Sequence, residues 1–180
     1  MRRALRAFVP ALVVAITIAT TGCAGASDTM PSCETTSRLA LVAQSVPDAS
    51  YVPCIAELPT GWSFDEAEVN DEGTTIWLES DRADRPIIVT LRPSCEVGDA
   101  TPVAPSDEGT RTYQRVDSID PRYAGAFIDL FPGGCIESRY DFERGPHIAL
   151  ITDLQQAIDV SSRRQLRQDL ERELDVQLDP

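Results

Sequence analysis

The sequence predicts an α+β fold, with an antiparallel sheet of about six strands in two three-stranded meanders and helices packed on one face. Six short runs rich in aromatic and β-branched residues follow one another between positions 62 and 142, separated by turn-forming residues. Apolar residues recur at helical spacing before these runs, in 34–46, and after them, from position 147 onward. The helices at both ends are therefore expected to cover one face of the sheet.

The chain begins with a segment typical of a secretory signal. Arg2, Arg3 and Arg6 precede an uncharged, largely apolar run over 7–19. This run is too short to cross a membrane as a helix, which takes about 20 apolar residues. Residues 1–22 are therefore interpreted as a lipoprotein-type signal peptide and left out of the fold.

The residues Thr20-Thr21-Gly22-Cys23 close this run and resemble the lipobox of bacterial lipoproteins, although Thr20 stands where that motif usually has leucine. The resemblance covers residues 1–23 only. It implies cleavage before Cys23, a diacylglycerol thioether on the Cys23 sulfur, and often acylation of the new amino group. Two or three acyl chains anchor a protein firmly. We therefore expect a lipoprotein on the cell membrane that faces the extracytoplasmic side.

Residues 23–33 are small and polar, which predicts a flexible tether, and 34–180 are expected to form a single domain. All 16 basic residues are arginine, against 29 acids, and removal of 1–22 lowers the formal net charge from −13 to −16. Such an acidic surface argues against nucleic acid, which is bound by basic stripes. It also argues against a domain lying flat on anionic lipid, so the anchor must provide the membrane contact.

The first element of the domain is a helix predicted over 34–46, which Pro47 ends. Its apolar positions are Leu39, Val42, Ala43 and Val46. Residues 47–61 contain three prolines and predict an extended connection with Cys54 in its middle.

Two groups of three strands follow. The first group is predicted at 62–69, 74–80 and 87–92, and the second at 112–119, 123–131 and 135–142. Tight turns are predicted at 70–73 and 131–134, where Asn, Asp, Pro and Gly concentrate. The segment 93–110, rich in proline, glycine and acids, predicts a loop between the groups.

Alternation within the strands indicates which residues are covered. Apolar residues occupy every second position over 87–91. In the last strand, the even positions of 136–142 predict a covered face, and the odd positions predict a solvent-exposed face. Trp62 and Trp77 stand in neighbouring strands of one hairpin, which predicts an aromatic cross-strand pair.

The C-terminal part is predicted to be helical over 147–158 and again after Ser162. The expected apolar stripe of the first helix is Ile148, Ile151, Leu154 and Ile158. Ser162 stands three residues before Gln165, the spacing of a capping box, and leucines recur every four residues over 166–174.

Cysteines other than Cys23 form an even set in an exported chain, which predicts two disulfides. They are Cys33, Cys54, Cys95 and Cys135. Their wide spacing does not resemble that of a zinc site. Four cysteines allow three connectivities that sequence does not distinguish, and the pairing we favour is Cys54–Cys95 with Cys33–Cys135.

Residue patterns that would carry catalysis are weak. The single histidine, His147, stands at a strand–helix junction, and no serine lies in a G-x-S-x-G motif. A glycosidase needs only two carboxylates, but Asp117, Asp120 and Asp129 are interpreted as part of a solvated acidic face. No catalytic residue, metal ligand or cofactor is predicted, so an enzyme is the least favoured class.

Arg82 and Arg85 lie beside a strand end and could bind a carboxylate or phosphate group. Neutralisation of neighbouring acids is the preferred interpretation.

The favoured function is a non-catalytic lipoprotein that binds a protein partner or an envelope component through its sheet. The alternative is a small-molecule binder with a pocket between the sheet and the C-terminal helices, and an envelope hydrolase that uses carboxylates comes third. A binder of apolar ligands should show a dry cavity lined by residues such as Ile87, Val89 and Ile128. A partner-binding domain should show an exposed apolar patch instead.

Overall fold

The structure is a computed structural model and describes residues 30–34, 36–83, 85–143, 146–174 and 178. The predicted signal peptide, Cys23 and most of the predicted tether lie outside these residues. The elements in chain order are α1 (Thr36–Ser45), β1 (Tyr51–Ile55), β2 (Trp62–Asn70), β3 (Gly73–Ser80), β4 (Ile87–Arg92), β5 (Thr101–Pro102), β6 (Arg111–Ser118), β7 (Tyr123–Phe131), β8 (Gly134–Phe142), α2 (His147–Ala157), β9 (Ile158–Ser162) and α3 (Arg163–Leu174). This content confirms the α+β class.

Seven of the strands form one antiparallel sheet in the order β2-β3-β4-β8-β7-β6-β5. All six predicted strands are confirmed, and β5 is a two-residue addition at the edge. The two predicted meanders are joined through β4 and β8, where Val89 lies opposite Ser138. The predicted groups are therefore halves of a single sheet.

The tight turns at 70–73 and 131–134 are confirmed. Asn70 lies opposite Gly73, and Phe131 lies opposite Gly134, so each hairpin has a two-residue turn. Gly133 has a φ of +79°, a left-handed conformation that glycine adopts without steric cost.

A second sheet has only two strands, and the sequence prediction missed both. β1 lies within the predicted connection 47–61, and β9 begins at Ile158, which had been expected to end a helix. The strands pair from Tyr51 opposite Ser162 to Ile55 opposite Ile158. Because the partners stand more than 100 positions apart, no local pattern indicates this pairing.

One face of the large sheet carries the covering layer. α1 contacts β2 and β3, and β1 contacts β4 and β8. The Ser45 and Thr74 hydroxyls hydrogen-bond at 2.9 Å between α1 and β3. The side chains predicted for α1 are all in the core, as are those of Ile87, Val89 and Leu91 in β4. We call this side of the sheet the covered face and the other side the outer face.

The buried side of α2 differs from the predicted stripe. Leu150, Leu154 and Ala157 are buried, whereas Ile148 is 85% exposed. Both sets fit helical spacing and share Leu154, so the pattern alone could not orient the helix. α3 begins as predicted, since the Gln165 backbone N–H donates to Ser162 Oγ at 3.2 Å.

Two disulfides are present, and their pairing is Cys33–Cys54 and Cys95–Cys135. The predicted participation of all four cysteines is confirmed, but the favoured pairing is wrong. Residues 31–33 run beside the end of β1, where Cys33 N–H donates to Ile55 O at 3.0 Å. Sheet register sets the second pair, because Cys135 lies opposite Arg92, three residues before Cys95.

Among the described residues, no helix has the length and apolar character needed to span a membrane.

Candidate functional site

A cavity of about 330 Å³ lies between the covered face of the large sheet and the C-terminal elements α2 and β9. Its size is at the lower end of the range for small-molecule sites. The lining residues are Ala104, Pro105, Ser106, Thr112, Phe127, Asp129, Ser138, Leu154, Gln155, Ile158, Asp159 and Val160. They come from β6, β7 and β8 on one side, from α2 and β9 on the other, and from the loop between β5 and β6.

Strand alternation explains why a carboxylate stands in this cavity. In β7, Phe127, Asp129 and Phe131 are two residues apart and therefore point to the same side of the sheet. That side is the covered face, and Asp129 is only 8% exposed. The prediction that Asp129 belongs to a solvated acidic face is wrong, because the aromatic residues on either side of it share its orientation.

Two hydroxyl groups hold the Asp129 carboxylate. Ser106 Oγ donates to Asp129 Oδ1 at 2.6 Å, and Thr112, which lies directly opposite on β6, donates to the same oxygen. No described residue donates to Oδ2. Solvent nevertheless reaches Oδ2. In the described part of the chain, Trp62 Nε1 is the one side-chain nitrogen or oxygen that is fully buried and has no hydrogen-bond partner, so Asp129 Oδ2, which also has none, is not fully buried. One carboxylate oxygen is thus fixed by two hydroxyls, and the other has no donor among the described residues.

The loop that supplies Ser106 is ordered by its own hydrogen bonds. Ser106 N–H donates to Thr112 Oγ1 at 2.9 Å, and Thr110 Oγ1 donates to the Asp107 carbonyl at 2.8 Å. Asp107 N–H in turn donates to Thr110 Oγ1 at 3.1 Å. The Ser106 side chain is thereby placed against Asp129 before any ligand arrives.

Asp129 has no cationic partner, since no arginine or histidine of the described residues lies within 4.0 Å of its carboxylate. Glu137 on the outer face shows the contrast. It is 6% exposed, and its carboxylate lies 3.0 Å from Arg139 and 3.4 Å from Arg115. Among the described residues, guanidinium groups therefore pair with Glu137 and none pairs with Asp129.

The apolar part of the cavity is provided by Phe127, Leu154, Ile158 and Val160. The residues that the sequence suggested as cavity lining are elsewhere. Ile87 and Val89 are wholly buried in the core, and Ile128, although wholly buried too, points to the outer face between its neighbours Phe127 and Asp129. The cavity thus lies between the sheet and the C-terminal elements, but Ile87, Val89 and Ile128 do not line it.

An aromatic column stands farther along the covered face. Tyr123 stacks on His147 at 5.1 Å and on Tyr140 at 5.5 Å, and Tyr140 stacks on Phe142 at 5.4 Å. Burial raises the pKa of the Tyr140 hydroxyl above the ordinary value of a tyrosine. His147, the single histidine, thus begins α2 as part of this column and does not line the cavity.

The remaining carboxylates considered above do not converge with Asp129. Asp117 is exposed and pairs with Arg115 at 2.9 Å, and Asp120 is exposed in the turn between β6 and β7. Nowhere in the described ranges do three or more His, Cys, Asp or Glu residues form a group that could hold a metal ion.

The other two residue clusters predicted from the sequence have different outcomes. Trp62 lies opposite Ser80 and Trp77 opposite Glu66, so the predicted tryptophan pair is wrong. Their alignment places them on opposite faces, with Trp62 in the core. The arginines neutralise acids as preferred, because Arg82 pairs with Asp153 at 2.5 Å, and Arg85 lies 3.5 Å from Asp141.

Ser106 and Thr112 were not predicted as site residues. Ser106 stands in a proline- and acid-rich loop that has no local motif for a binding site. For Asp129 a signal did exist, since an acid flanked at two-residue spacing by Phe127 and Phe131 must share their side of the strand.

Comparison of the chain with protein-family models, with curated proteins and with solved structures finds no match in any of the three.

Proposed function

We propose that the protein is a non-catalytic, lipid-anchored lipoprotein of a bacterial membrane that binds a small molecule on the extracytoplasmic side. The observation that carries the binding role is the cavity itself. It joins an apolar wall to the buried Asp129 carboxylate, which two hydroxyls orient, and small-molecule sites use this combination of shape and directed polarity. The anchor is supported by the lipobox-like residues that end at Cys23.

A ligand-observed NMR screen tests the binding role, using a library of amines, alcohols and carboxylic acids with up to about a dozen non-hydrogen atoms. Ala104→Trp places a large side chain in the cavity lining, so bound compounds should lose their signal. Val103→Trp is the matched control, because Val103 is the preceding, exposed residue and does not line the cavity. Compounds that bind both variants equally, or a screen without any binder, would contradict the proposal.

Cys23→Ala followed by membrane fractionation tests the anchor separately. We expect the variant to leave the membrane fraction and globomycin to block processing of the wild-type protein. A Cys23→Ala protein that stays on the membrane would overturn the lipobox interpretation.

Binding of an envelope protein through the sheet is the second candidate, and one observation favours it. On the outer face, Trp77 lies opposite Ile88, which in turn lies opposite Arg139, and both apolar side chains remain partly exposed. A photoreactive residue placed at Ile88 should then crosslink to one protein in intact cells, and the same residue at Ala104 should not. Equal crosslinking from both positions would count against this face.

A further inference from the structure

The charged residues of the cavity lining all have the same sign. Asp129 and Asp159 are its two charged residues, and both are acids. Asp159 is exposed, and its Oδ1 accepts a hydrogen bond from Val160 N–H at 2.7 Å. Asp129 is shielded and uses only Oδ1 with protein donors. Both charged side chains that line the cavity, Asp129 and Asp159, are thus carboxylates.

A carboxylate taken out of water is costly unless a cation or several hydrogen bonds compensate it. The two hydroxyls that donate to Asp129 Oδ1 compensate part of this cost. The Glu137 carboxylate, by contrast, is compensated by Arg115 and Arg139. Since no described residue supplies a cation to Asp129, a cationic group of the ligand can take that position.

We infer that the ligand of the cavity carries a protonated amine that pairs with Asp129 Oδ2, together with a short apolar body; this inference rests on the proposed function. Phe127 and Asp129 stand two residues apart on the same side of β7, a separation of about 6–7 Å. An amine joined by a short chain to an aromatic or aliphatic group spans that distance. Phe127, Leu154 and Ile158 then cover the apolar end.

An organic cation fits this lining better than a metal ion does. Ca²⁺ takes 6–8 oxygen ligands, usually with several carboxylates among them. Among the described residues, Asp129 provides the one shielded carboxylate of the lining, Ser138 adds a buried hydroxyl, and the protons of Ser106 and Thr112 are directed at Asp129 Oδ1. A single hydrogen-bonded ammonium group requires no more than that.

Three probes of similar size test the inference: 2-phenylethylamine, 2-phenylethanol and 3-phenylpropanoate. They share a phenyl ring and a short chain and differ in charge. Isothermal titration of the folded protein at pH 7 should rank the amine tightest and the carboxylate weakest. Asp129→Asn should weaken amine binding by about tenfold to hundredfold, since a charge-assisted hydrogen bond is lost, and should change alcohol binding by less than about threefold.

Asp99→Asn is the matched control, because it removes the same charge from an exposed loop residue that does not line the cavity. It should leave all three affinities unchanged. Circular dichroism shows whether each variant folds, and the preference of the wild-type protein for the amine over the alcohol tests the inference without any variant.

The outcomes separate the two proposals. If the alcohol binds the wild-type protein as tightly as the amine, or if the amine keeps its advantage in Asp129→Asn, the inference is wrong and the binding role stands. If none of the probes binds the wild-type protein, and the wider screen also finds no ligand, the proposed function fails and the inference with it.

Discussion

Replacement of Gly133 by alanine tests how the large sheet supports the covering layer. Gly133 is in the turn between β7 and β8, with a φ of +79°. A Cβ on Gly133 would lie 1.7 Å from the Asp48 carbonyl oxygen, far closer than any contact between these atoms. Beside it, the Pro132 carbonyl accepts hydrogen bonds from Ser50 N–H at 3.0 Å and from Ser50 Oγ at 2.9 Å. The turn must therefore withdraw from the segment that leads into β1.

The expected loss follows from these contacts. A left-handed conformation costs alanine about 1 kcal/mol more than glycine. The two hydrogen bonds to Pro132 contribute about 1 kcal/mol each, and withdrawal of the turn loses both. Gly133→Ala should thus lower the free energy of unfolding by about 3 kcal/mol. For a domain of this size that corresponds to a fall in melting temperature of about 6–12 °C.

Gly98→Ala is the matched control. Gly98 also has a left-handed φ, +60°, but a Cβ there would meet nothing within 4 Å. Its expected cost is the conformational part alone, about 1 kcal/mol. Urea unfolding followed by tryptophan fluorescence, with the disulfides intact, measures both variants. Equal losses for the two glycines would refute the docking role of the turn, as would a Gly133→Ala protein as stable as the wild type.

Two further predictions use the same unfolding assay. Leu154→Ala should lower the free energy of unfolding by about 2–4 kcal/mol, because it leaves a cavity in the core, whereas Ile148→Ala should change it by less than about 0.5 kcal/mol. Similar losses for the two variants would show that α2 is rotated from the orientation described. Replacing Cys95 and Cys135 together by serine should cost about 4 kcal/mol, because the bridge closes a loop with a sequence separation of 40 residues. Titration of the unfolded double variant with a thiol reagent should find no free thiol from the other two domain cysteines, and two free thiols would contradict the pairing.

Local patterns account for the six long strands of the large sheet. Alternation of apolar residues over 87–91 and the turn residues at 70–73 act within a few positions, and both predicted the structure correctly. The pairing of β1 with β9 depends instead on partners such as Tyr51 and Ser162, which only the folded chain brings together. The predicted connection and the predicted helix end were wrong for this reason.

The candidate site shows the same division. Alternation placed Asp129 on one side of β7 together with Phe127, and this information is in the sequence. Whether that side is exposed to solvent or covered depends on α2 and β9, which are close to the C-terminus in the sequence and pack over it. Whether the carboxylate has a cationic partner depends on where the arginines of the chain come to lie, and no sequence spacing indicates that.

The sequence by itself determined the class of fold, the positions of the main strands and turns, the even set of domain cysteines and the lipobox-like residues that predict an anchor at Cys23. These properties depend on side-chain chemistry and on periods of two to four residues. Tertiary structure alone decided which cysteines pair, which side of α2 is buried, and that Asp129 faces a cavity in which no described residue provides a counter-ion. Each of these depends on contacts between segments that are distant in the chain, where the packing of the whole domain selects among arrangements that the local pattern permits equally.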